Sequence, residues 1–96
     1  TVMGAAVQPK VRIDNVPVGR ATPKGFFFAD RPPGNYEIST RTEAKRALTM
    51  SLDAGEEKYV RLEMKFGLGV GHVKPVLVDD EVGFREIQDM KYIGVE

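Results

Sequence analysis

From Lys58 to Phe66 the chain alternates without a break: Val60, Leu62, Met64 and Phe66 fall on one side, Tyr59, Arg61, Glu63 and Lys65 on the other. Successive side chains of an extended chain point to opposite faces, so a strand sorts this run into one apolar and one polar face. A helix would scatter the same apolar residues around its circumference. The period recurs upstream, where Leu48, Met50 and Leu52 alternate with Thr49 and Ser51. Between the two runs Asp53-Ala54-Gly55-Glu56 supplies turn residues, and the spacing predicts that strands 46–52 and 57–66 pair as a hairpin.

Turn chemistry divides the remainder. Val11 and Ile13 flank Arg12, and Asp14-Asn15 follows where a tight turn needs residues tolerant of positive φ, which predicts a second hairpin returning through Val16-Pro17-Val18-Gly19. Pro17 lacks the donor a central strand needs, so that return strand belongs at an edge. Gly25 introduces Phe26-Phe27-Phe28, and Pro32-Pro33-Gly34-Asn35 turns into a strand with Tyr36, Ile38 and Thr40 on one face and Glu37, Ser39 and Arg41 on the other. Gly67-Leu68-Gly69-Val70-Gly71 reads as a flexible loop, and Val73 to Val78 as a further strand. Asp79-Asp80 stand at a helix N-cap with Glu81 in the first turn, and Phe84, Ile87 and Met90 recur at threes, so a short helix is expected over about 81–90. About seven short strands and one late helix indicate a mainly β fold, a small antiparallel β-sandwich with Greek-key-like connections, in a single domain over residues 1–96. Residues 1–9 read either as a frayed terminus or as the remnant of a first strand. The second reading leaves a sheet edge open to another chain, including an edge-strand dimer.

Composition narrows the function classes. Fourteen basic residues balance fourteen acidic ones, so no global field steers the chain to nucleic acid. No cysteine is present, which removes disulfides, thiolate nucleophiles and cysteine-ligated zinc. No apolar run approaches the ~20 residues needed to span a bilayer.

The chemistry-bearing motifs are weak. The single histidine, His72, has no sequence signature of a partnered nucleophile, and Gly-x-Ser-x-Gly is absent. Gly67-x-Gly69-x-Gly71 precedes a strand, whereas a phosphate-binding loop opens a helix. Asp79-Asp80-Glu81 fits a helix start better than a calcium loop, which needs further oxygen ligands. Arg41, Lys45 and Arg46 read as solvated strand ends. No catalytic, cofactor-binding or metal-binding residue is therefore assigned. Phe26-Phe27-Phe28 stands out, because the middle ring of a strand must face away from its neighbours. Either both faces are covered, or Phe26, Phe27 and Phe28 form an aromatic platform with Phe27 its exposed member and Tyr36 or Tyr59 nearby. Leu68 and Val70, with Phe66, form an apolar loop tip able to touch a partner or lipid surface.

The succession Val11 to Gly19, Gly25-Phe26-Phe27, Pro32-Pro33-Gly34-Asn35-Tyr36 and Leu52 to Val60 resembles bacterial envelope proteins grouped as domain of unknown function 2846, and Val76 to Gly83 resembles that family's closing segment. The Pro-Pro-Gly-x-Tyr turn also resembles PEGA-type domains and other prealbumin-like sandwiches. The resemblance implies an envelope location, periplasmic or lipid-anchored through an upstream segment. It further implies a structural or interaction module whose partner is a protein or another envelope component. With no convergent catalytic set, the expectation is a non-enzymatic domain. The alternative is a carbohydrate- or small-ligand-binding module using the exposed aromatics.

Overall fold

The computed structural model describes residues 8–42, 44–67 and 70–93. Its elements run β1 (Lys10–Ile13), β2 (Val16–Arg20), β3 (Gly25–Phe26), β4 (Gly34–Arg41), β5 (Lys45–Leu52), β6 (Tyr59–Gly67), β7 (Val70–Val78), α1 (Asp80–Ile87) and β8 (Lys91–Tyr92). The fold is mainly β, with eight short strands among the described residues, one more than expected, and a short C-terminal helix.

β1 and β2 form the predicted hairpin. Asp14 and Asn15 take φ values of 50° and 69°, the left-handed pair that a two-residue turn between right-twisted strands requires. Asp14 is held on both sides: its N–H donates to the Glu37 carbonyl at 2.8 Å, and its Oδ1 accepts from the Glu37 N–H at 2.9 Å. Pro17 falls opposite Arg12, with a register shift beside it, and β2 is an edge strand as expected. Ala21 donates to the Pro9 carbonyl at 3.0 Å, so the start of the described chain is tied to the hairpin. Residues 1–7, read as frayed or as a strand remnant, lie outside the described residues.

The main sheet has the order β2-β1-β4-β5, all antiparallel. β4 enters it through the Pro32-Pro33 turn, where the Tyr36 hydroxyl donates back to the Pro32 carbonyl. On β4, Ile38 and Thr40 are buried as their face requires. Ser39 is buried too, although alternation assigns it to the polar face.

The strand 57–66 does not pair with 46–52. Among the described residues β5 pairs only with β4, from Gly34↔Leu52 to Arg41↔Lys45, while β6 pairs with β7 from Tyr59↔Val78 to Gly67↔Val70. Asp53 to Glu56 does form a turn: the Glu56 N–H donates to the Asp53 carbonyl at 3.0 Å, and Gly55 takes φ 74°. That turn carries the chain from one sheet to the other instead of folding it back. The glycine-rich run holds the tighter connection: Gly67 and Val70 are register partners at the hairpin's end. Its first, fourth and fifth residues thus belong to strands, not to a loop, and Leu68 and Gly69 lie outside the described residues.

The β6–β7 hairpin packs over the main sheet, with β7 against β4 and β5. The Thr40 hydroxyl donates to the Val73 carbonyl, joining the layers. Val11, Ile13 and Ile38 form the core cluster, with Leu48, Met50, Val60 and Leu62 packed against it while only half-buried.

α1 begins after Asp79, whose backbone is extended and whose side chain makes no capping bond. It ends at Ile87, short of the expected 90. The next three N–H groups, of Gln88, Asp89 and Met90, tighten onto carbonyls three residues back. The chain then runs into β8, which no pattern announced. β8 lies parallel to β3, with Gly25↔Lys91 and Phe26↔Tyr92 in register.

Candidate functional site

The two layers meet through Val60 and Leu62 and the Thr40–Val73 bond but do not close along their whole length. Between them lies a cavity of about 800 Å³, floored by Val11, Ile13 and Ile38 and walled by Met50, Val60 and Leu62. The period-two pattern aims these side chains inward, but Met50, Val60 and Leu62 stay half-buried; among the described residues the buried aliphatic side chains are Val11, Ile13, Ile38, Val73 and Pro75. Among the described residues β6 has a strand partner on one edge only. Residues of both its faces, Tyr59 and Arg61 as well as Val60 and Leu62, line the cavity, so the space runs along its unpaired edge. It extends from the 20–31 segment to α1.

Polar residues at the helix end are mutually satisfied. Arg61 donates to both Glu86 carboxylate oxygens, at 3.1 and 2.7 Å, and to Glu63 at 2.9 Å. This fork clamps α1 to β6 and raises the guanidinium pKa, through Glu86 first and then Glu63. The Tyr59 hydroxyl donates to Glu57 at 2.7 Å; that bond, with burial and the Glu57 and Asp80 charges, lifts the phenol above its ordinary 10.0. Lys58 lies 3.8 Å from Glu56.

The predicted aromatic residues divide. Phe27, the exposed member of the platform alternative, is half-buried and packs against the core cluster. The gap it fills is made by Gly19, where a Cβ would stand 2.7 Å from the ring's Cζ. Phe28 is the exposed ring, at 62%. Phe26 and Phe28 meet edge to face with centroids 5.6 Å apart, and Tyr92 completes the group at 5.6 and 5.7 Å. All three phenylalanines reach the cavity, so the cluster stands at its margin. Neither tyrosine named from the sequence joins it: Tyr36 is bonded to Pro32, and Tyr59 lies under Gly83 of α1. Tyr92 comes from a two-residue strand, too short to carry a pattern. Of the proposed loop tip, Leu68 lies outside the described residues and Val70 opens β7.

His72 sits in β7 opposite Lys65, half-buried, with its Nδ1 buried and unpartnered among the described residues. Asp79, Asp80 and Glu81 occupy the N-cap and first turn of α1. Among the described residues no group of three or more His, Asp or Glu side chains is arranged to hold a metal ion, and no helix is long and apolar enough to cross a membrane.

Fold and site together define a small two-layered β domain with an apolar cavity between its layers. The chain belongs to the family described as Protein of unknown function (DUF2846), whose model matches residues 1–76. The match stops short of α1 and β8, so the stretch from Val76 to Gly83 is not supported as a family segment beyond its first residue. The chain is also 28% identical over 89 residues to an "Uncharacterized protein" of Haemophilus influenzae (strain ATCC 51907 / DSM 11121 / KW20 / Rd). That alignment covers 92% of this chain and 53% of the relative, so the chain spans about half the length of the protein it matches. No solved structure matches it.

Proposed function

We propose that this domain is a non-enzymatic binding module of the bacterial envelope that receives an apolar ligand between its main sheet and the β6–β7 layer. The observation that carries the reading is the cavity: its volume of about 800 Å³ falls within the roughly 300–1,000 Å³ of small-molecule sites, and aliphatic side chains line it. Half-buried Met50, Val60 and Leu62 gain burial when an apolar molecule enters. The envelope placement rests on the likeness of the Pro32–Tyr36 and Leu52–Val60 motifs to envelope lipoproteins. Peptide capture along β5 is a second reading, favoured by an eight-residue strand whose outer edge has no strand partner among the described residues.

The test is thermal unfolding with the neutral fluorescent probe N-phenyl-1-naphthylamine. A ligand at about 100 times its Kd stabilises by about 2.7 kcal/mol, which raises Tm by roughly 10–20 °C in a domain this size. Met50→Trp, which fills the space, should raise Tm without probe and weaken probe binding. Unsaturable fluorescence with no Tm shift would remove the reading.

A further inference from the structure

Resting on the apolar-ligand reading, we infer that the ligand is a single-chain amphiphile with an anionic head, its tail among Ile38, Met50, Val60 and Leu62 and its carboxylate or phosphate at Arg20, Lys24 and Arg31. All seven residues line the one cavity. Its two ends differ in charge pairing. At the helix end Arg61 is held by Glu86 and Glu63, and Lys58 by Glu56. Along the 20–31 segment Arg20, Lys24 and Arg31 have no carboxylate within ion-pair reach among the described residues. Arg20 donates from Nη1 to the Gln8 carbonyl at 2.9 Å, and Arg31 from Nη1 to the Asp30 carbonyl at 2.7 Å. Each of these bonds uses one donor of a five-donor group, and neither neutralises its charge. Asp30 is the acidic residue of this segment that lines the cavity, and Arg31 bonds its backbone rather than its carboxylate.

Lys24 supplies an independent observation. It holds φ at 57° in the turn closed by the Gly25 N–H on the Thr22 carbonyl. With Pro23 in the second position this turn places a positive φ at its third, which glycine or asparagine occupies more easily, so a lysine is held there at some backbone cost. The strained residue is a cation at the margin of the cavity. Next to it, the Phe26–Phe28–Tyr92 cluster gives the neck of an acyl chain an aromatic surface to cross. An elongated cavity, apolar in its middle, with one self-neutralised end and one uncompensated cationic end fits a molecule that is apolar along its length and negative at one end.

Isothermal titration with four ligands of equal chain length, each below its micellar concentration, tests this: dodecanoate, dodecyl phosphate, dodecanol and dodecyltrimethylammonium. The anions should bind at least about tenfold tighter than the other two, as charge-assisted contacts allow. Lys24→Gly, which also relieves the left-handed backbone, and Arg31→Gln should each cut anion affinity by about threefold and leave dodecanol binding unchanged. Preference for the phosphate indicates a phospholipid-derived ligand and preference for the carboxylate a free fatty acid, and both support the inference. Dodecanol binding as tightly as the anions, or anion affinity unmoved in both variants, overturns it while the apolar-cavity reading stands. If none of the four binds, both fall.

Discussion

Gly83→Ala isolates the contact that seats the helix. In an exposed helix this exchange stabilises by about 1 kcal/mol, because alanine is the better helix former. Here the new Cβ would stand 2.3 Å from Tyr59 Cγ, 2.4 Å from its Cβ and 2.6 Å from its Cδ2. Carbon atoms rest at roughly 3.5–4.0 Å, so α1 must lift by more than about 1 Å. Rotating the ring gives no relief, since Tyr59 Cβ is fixed to the β6 backbone. Overpacking of this kind costs about 1–3 kcal/mol, and lifting the helix also pulls Glu86 from Arg61. Set against the propensity gain, overpacking leaves about 0–2 kcal/mol and the weakened fork adds to it, so the net loss centres on about 1.5 kcal/mol, or a Tm lower by roughly 6–12 °C. Thermal unfolding followed by circular dichroism measures it, with Phe84→Ala on the exposed face of the helix as a control within about 0.5 kcal/mol of the parent. A Gly83→Ala protein with a higher Tm would show that α1 does not rest on Tyr59.

Arg61→Met should speed amide exchange of α1 by a factor of a few while β6 amides keep their protection, as expected for a partly exposed fork; uniform exchange would deny the clamp. Because the Tyr59 phenol is raised in the folded state, its contribution is fully present below the unfolded pKa near 10 and is lost as pH climbs through the folded value. Urea midpoints should therefore fall above about pH 10, and Tyr59→Phe should flatten that fall; an unchanged profile in the variant would count against the Glu57 bond. Asn15→Ala should destabilise by about 1 kcal/mol through its left-handed φ, and Asn15→Gly should not. Equal urea midpoints for the two would contradict the turn assignment.

What was legible in the sequence was local. Asp14-Asn15 announced a turn with positive φ, and Pro17 announced an edge, because both constraints are written in single residues. Alternation marked 46–52 and 57–66 as strands and gave the inward face of each, since period two depends only on the chain itself. It carried no information on partners. The choice of β4 for β5 and β7 for β6 depends on contacts such as Thr40 with Val73, 33 residues apart. Phe27 went inward for a similar reason: the ring that finds space is decided by Gly19 on another strand. The cavity was the least legible feature. Met50, Val60 and Leu62 were correctly aimed inward, but whether opposing surfaces touch depends on the spacing of layers, which the Asp53–Glu56 crossing turn and the Thr40–Val73 bond help to set.

Methyl and amide NMR during titration with neutral N-phenyl-1-naphthylamine tests the cavity most directly. Saturable shifts, at one probe per chain, are expected on the methyl groups of Ile38, Met50, Val60 and Leu62. Shifts confined to Phe28 and Tyr92 or to the β5 amides, with those methyls unmoved, would contradict it.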